Sequence, residues 1–65
     1  MDMTNDSERL FAGEAVEYLM GRYRLTREEA FDVVHLTPPN SEERNKKIYL
    51  RSDIDKTYER EYGLL

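Results

Sequence analysis

The chain has 65 residues, no cysteine and a single histidine, which excludes disulfide staples and any Cys/His zinc site. Charged residues make up 37% of it and the net charge is −4, unlike the basic composition usual for a nucleic-acid domain. A chain this short makes one domain, here residues 1–65 with 1–6 expected to be flexible, and its core supplies only about 3–5 kcal/mol. Good helix packing, self-association or a partner chain has to make up the rest. Five tyrosines and two phenylalanines argue for a folded chain, since disordered segments are poor in aromatics.

In chain order, "DSERLFAGEAVEYLMGRYRL" comes first. Leu10, Phe11, Ala15, Tyr18, Leu19 and Tyr23 recur at spacings of three and four, which predicts a helix from about residue 8 to 23. Asp6 or Ser7 is positioned to cap it. The next start signal is the clearest in the sequence. Thr26 with Glu29 three residues later is a capping box, in which hydroxyl and carboxylate each accept from the other's backbone amide. Ala30, Phe31, Val33 and Val34 are expected to form the apolar face of this second helix. Pro38 and Pro39 end it near residue 35 or 36. "TPPNSEERN" reads as a polar loop.

"NKKIYLRS" alternates polar and apolar residues around Ile48 and Tyr49, the pattern of a short strand. One strand leaves its amides and carbonyls without partners. It therefore pairs with the N-terminal arm, with a second copy or with another protein; otherwise it is extended loop. The final stretch, "RSDIDKTYEREYGLL", predicts a helix over about 53–62, started by Ser52 with Asp55 and ended by Gly63 in a left-handed conformation, with Leu64 making the hydrophobic contact that follows. The predicted fold is mainly α: a small three-helix domain with one short extended segment between helices two and three.

No apolar run approaches the ~18 residues of a membrane span, and the N-terminus, acidic from Asp2, lacks the basic start of a secretory signal. A cytoplasmic, non-membrane setting is the expectation. Catalytic chemistry has little support. Asp32 precedes His35 by three residues, as for an oriented base, but neither Ser41 nor Ser52 stands in a nucleophile motif. His35 reads instead as a helix-end residue beside the C-terminal dipole. "SDID" and "NSEER" carry acids without the central glycine of a calcium loop. No cofactor, metal or catalytic residue is expected.

Two surfaces remain. Arg44, Lys46, Lys47 and Arg51 cluster around Tyr49, where cations could meet phosphates and the ring could stack, or where lysines could protect a strand edge from aggregation. Tyr18, Tyr58 and Tyr62 fall at core-facing spacings, while Tyr23 and Tyr49 are expected to be partly exposed, as interface tyrosines often are.

"AVEYLMGRYRLTREEAFDVV" resembles the helical pair of the ANTAR RNA-binding domains of bacterial antiterminators, through Ala15, Leu19, Met20, Arg22, Leu25, Thr26, Glu29, Ala30 and Phe31. The likeness covers about a third of the chain and stops where Pro38 and Pro39 replace continuing helix. "KKIYLRSDIDKTY" is similar to the wing strand and following helix of excisionase-like winged helices. In that family a recognition helix precedes the wing, where this chain has "TPPNSEERN". Both resemblances imply a small bacterial or phage regulator.

The expectation is thus a small non-enzymatic regulatory protein that docks on a protein partner, or self-associates, through Arg44, Lys46, Lys47, Tyr49, Arg51 and Tyr23. The expected mode is strand addition by residues 46–50, with Ile48 or Leu50 filling pockets on the partner. The alternatives are a nucleic-acid-binding regulator using residues 44–51 and an acidic inhibitor that mimics nucleic acid through Asp53, Asp55, Glu59 and Glu61.

Overall fold

The computed structural model describes residues 8–63. The chain runs β1 (Arg9–Phe11), α1 (Ala12–Tyr23), α2 (Arg27–Leu36), β2 (Ser41–Glu43), β3 (Lys46–Leu50) and α3 (Arg51–Tyr62). The fold is mainly α with three helices, as expected. The extended segment is the middle strand of a three-stranded antiparallel sheet in the order β1-β3-β2. Among the described residues no helix is long and apolar enough to cross a membrane.

The strand finds both of its partners within the chain. On one side Arg9, Leu10 and Phe11 stand opposite Leu50, Tyr49 and Ile48. On the other, Ser41, Glu42 and Glu43 stand opposite Ile48, Lys47 and Lys46. Residues 9–11, expected in helix, are therefore strand, and α1 starts at Ala12. Strand alternation turns Leu10 and Tyr49 to the same face, and both enter the core, at 8% and 5% exposure. Helical periodicity misleads here because Leu10 and Ala15 reach one core by different backbone routes.

The first turn of α1 is closed by Glu14, whose Oε1 accepts from the Phe11 amide at 2.9 Å. The expected caps Asp6 and Ser7, the flexible residues 1–6 and the Leu64 contact lie outside the described residues. Arg24 ends α1 in the left-handed conformation, φ 58°. The capping box of α2 forms as its residues predict. The Glu29 amide donates to Thr26 Oγ1 at 3.1 Å, and the Thr26 amide donates to Glu29 Oε1 at 2.9 Å.

Only residues 37–40 of the expected polar loop are irregular. Residues 41–43, polar and fully exposed, are held in strand by pairing alone. Arg44 and Asn45, with φ of 51° and 66°, form the two-residue turn between Glu43 and Lys46. Two successive positive φ angles mark a type I′ hairpin, whose twist suits the strands it joins. α3 follows β3 directly at Arg51 with no side-chain cap. The Ser52–Asp55 box does not form, because Asp55 is turned to two tyrosines. Gly63 is not left-handed; its φ is −91°. A glycine is needed there because a Cβ would lie 2.9 Å from the Glu59 Cα.

The core joins Leu10, Ala15, Val16, Leu19, Ala30, Val33, Val34, Tyr49 and Ile54. Two buried hydroxyls are satisfied within it: Thr37 donates to the Val33 carbonyl at 2.7 Å and Thr57 to the Asp53 carbonyl at 3.0 Å.

Two substitutions check these local assignments by urea denaturation. Thr26→Ala removes the hydroxyl half of the box and is expected to cost about 1 kcal/mol. Arg44→Asn replaces a residue strained at positive φ with one that tolerates it, and is expected to gain about 0.5–1 kcal/mol.

Candidate interaction surfaces

The residues expected to bind a partner do not form one surface. Arg44, Lys46 and Lys47 are exposed on the β2–β3 hairpin. Tyr49 is 5% exposed and belongs to the core; it offers no ring to a partner. Its place opposite Leu10 turns it to the helices. Arg51 is occupied in holding the fold. Its amide donates to the Glu8 carbonyl at 2.9 Å. Its guanidinium lies 3.8 Å from the Glu8 carboxylate and 5.6 Å from the centre of the Tyr18 ring. Strand addition by residues 46–50 would find little free edge, because β3 is central, β1 covers Ile48–Leu50 on one side, β2 covers Lys46–Ile48 on the other, and Ile48 is 5% exposed.

The two lysines of the hairpin stand opposite glutamates, while Arg44 is at its turn. Lys46 stands opposite Glu43, and Lys47 opposite Glu42, the arrangement in which unlike charges attract across strands. Lys46 Nζ also lies 5.8 Å from the centre of the Phe11 ring. A shallow depression there is lined by Phe11, Ala12, Gly13, Asn45, Lys46 and Lys47.

Tyr23, the remaining expected contact, belongs to a cluster between α1 and α3. One oxygen of Asp55, Oδ1, accepts from the Tyr18 hydroxyl at 2.7 Å and from the Tyr23 hydroxyl at 2.8 Å. The Tyr23 ring stacks on Tyr58 at 3.7 Å between centroids, and Tyr58 on Tyr62 at 5.4 Å. Burial first, then the Asp55 hydrogen bond, pushes the Tyr18 phenol up to about 12. The same two causes raise the Tyr23 phenol. Sequence reading missed this cluster, since Asp55 is 37 and 32 residues from its partners.

A second surface was also missed. On α2 the residues Ala30, Val33 and Val34 face inward, as does Thr37 at its C-cap. Phe31, expected on that apolar face, points outward and is 62% exposed. The stripe i, i+3, i+4, i+7 starting at Ala30 leaves Phe31 off the buried face, and that was the available signal. Leu36 at 48% and Tyr62, expected in the core, at 43% are the other exposed apolar side chains of α2 and α3. One depression is lined by Arg27, Glu28, Phe31 and Asp32, and the next by Asp32, His35, Leu36, Glu61 and Tyr62. Asp32 lines both, so the two depressions adjoin at that residue.

This face is acidic. Arg27, which also lines the Phe31 depression, pairs with Glu17 at 3.3 Å in an exposed contact, and neither Glu28 nor Asp32 has an ion-pair partner within 4.0 Å among the described residues. Slight desolvation, then the carboxylates of Glu29, Asp32 and Glu61, raise the Tyr62 phenol above its ordinary value. His35 is exposed on this face, while Ser41 is on β2 and Ser52 on α3.

The class defined by these elements is a small mainly α domain with two helices joined by a short turn, a three-stranded sheet and a closing helix. No family model matches the chain, and neither the curated proteins nor the solved structures gave a match.

The tyrosine–aspartate cluster has a pH signature. A phenol whose pKa rises from 10 to about 12 on folding favours the folded state while protonated. Its contribution is complete below about pH 10 and is lost as pH rises through about 12. Denaturation midpoints of the native chain should fall across that window more steeply than those of Tyr18→Phe. At neutral pH, Asp55→Ala should cost about 1–3 kcal/mol, towards the lower end because the cluster is half-buried.

Proposed function

We propose that this is a small non-enzymatic regulatory protein, cytoplasmic and of bacterial or phage type, that works by docking on a protein partner. The observation that carries the reading is the outward face of α2. Helix, three-residue turn, helix, hairpin and helix follow one another in the order of a winged helix–turn–helix domain. That extends the excisionase-like resemblance, because α2 stands just before the hairpin, in the place where a reading helix would be. A helix that enters a groove of DNA is surrounded by phosphates and needs positive charge. This one presents Phe31 beside Glu28 and Asp32. Carboxylates there oppose phosphate, while an exposed aromatic ring with an acidic rim suits a protein surface.

The second reading is nucleic-acid binding through the hairpin, supported by the exposed cations of Arg44, Lys46 and Lys47. It is the weaker one because Glu42 and Glu43 stand opposite the two lysines. Acidic mimicry through Asp53, Asp55, Glu59 and Glu61 loses Asp55, whose Oδ1 is engaged by two tyrosines.

Affinity capture from native cells, with and without nuclease, separates the readings. The expected partner survives nuclease, is lost with Phe31→Ser and is retained by the double variant Lys46→Ala, Lys47→Ala. A partner lost to nuclease and to the lysine variant, but kept by Phe31→Ser, would establish nucleic-acid binding instead.

A further inference from the structure

We propose that the face formed by α2 and the end of α3 seats a basic amphipathic segment of the partner, one carrying lysine or arginine beside apolar side chains. The proposal rests on the docking reading and adds the chemistry of what docks and where. Phe31, Leu36 and Tyr62, at 62%, 48% and 43% exposure, are three of the four large exposed apolar side chains among the described residues; the fourth, Phe11 at 43%, lies apart from them beside Lys46. The first three line the two depressions that meet at Asp32. A segment laid along this path can bury apolar anchors against them, as amphipathic helices do in hydrophobic grooves.

Charge decides the sign of the partner. Glu28 and Asp32 lack an ion-pair partner among the described residues, and Arg27, the cation at this edge, is paired with Glu17. Glu29 and Glu61 add to the negative potential felt at Tyr62. A basic segment is steered towards this face and an acidic one is repelled. Anionic membranes and nucleic acids are repelled for the same reason. A second copy of this chain is a poor occupant, because each copy carries a net charge of −4.

The test is a two-dimensional NMR titration of the full chain with two synthetic amphipathic peptides. One has lysine and leucine at helical spacing; the other has glutamate in place of lysine. The expected result is saturable binding of the lysine–leucine peptide, with amide shifts centred on Phe31, Leu36 and Tyr62. Affinity should fall about tenfold or more with Phe31→Ser, as for an interface anchor, and again with Glu28→Gln, Asp32→Asn. All these positions are exposed, so the variants should keep the dispersed spectrum of the native fold. Three results would overturn the proposal: no saturable binding, shifts centred on the hairpin, or binding of the lysine–leucine peptide unchanged in Phe31→Ser, which is charge attraction alone. Equal binding of the glutamate–leucine peptide at this face would also overturn it, yet would leave docking on a protein partner intact.

Discussion

The pairing of β1 with β3 is the constraint on which the rest depends. It joins residues 9–11 to residues 48–50, about 40 positions apart along the chain. The Arg51 amide extends the contact to the Glu8 carbonyl. α1 starts immediately after β1, and α3 immediately after β3. Fixing the two strands side by side therefore fixes the starting points of two helices. The same pairing carries Leu10 and Tyr49 into the core from adjacent strands. A domain with so few large buried side chains needs that closure, because loop entropy is overcome only when distant contacts form together.

The closure is tightened at its other side by Asp55. Its Oδ1 draws in the hydroxyls of Tyr18 and Tyr23 from α1, and the stack of Tyr23, Tyr58 and Tyr62 continues along α3. Hydrogen bonds to a charged acceptor are stronger than neutral ones, so this polar seam supplements a thin apolar core. The tyrosine surplus, which by itself suggests an interface, is thus spent largely on internal packing. Tyr62, at the end of the stack, is the member that reaches the surface.

Burial and pairing also redistribute the apparent functional surface. Along the chain, Arg44, Lys46, Lys47 and Arg51 form one basic run around a tyrosine. In three dimensions the tyrosine is inside, Arg51 is held at Glu8 and the ring of Tyr18, and the lysines face glutamates across the hairpin. The opposite happens on α2. Its inward stripe is completed by Thr37, whose hydroxyl donates to the Val33 carbonyl, and this leaves Phe31 among acids on the outside.

Local chemistry made part of this legible. Thr26 and Glu29 determine the start of α2 through two short-range hydrogen bonds, and the Pro38–Pro39 pair determines its end through sterics. The mainly α class and the extended character of residues 46–50 follow from periodicity in the same way. The helical stripe from Ala30 also carried the exposure of Phe31, had Thr37 been counted as a core position. The tertiary structure alone decided that residues 9–11 are strand, that the polar residues 41–43 are an edge strand, and that Asp55 is a tyrosine acceptor and not a cap. Each depends on a partner distant in sequence, with the exception of 41–43, whose hairpin depends on two residues adopting positive φ. Periodicity and capping are properties of a few neighbouring residues. Strand pairing, burial and charge compensation are properties of what the folded chain brings alongside, and these determine which surface is left for a partner.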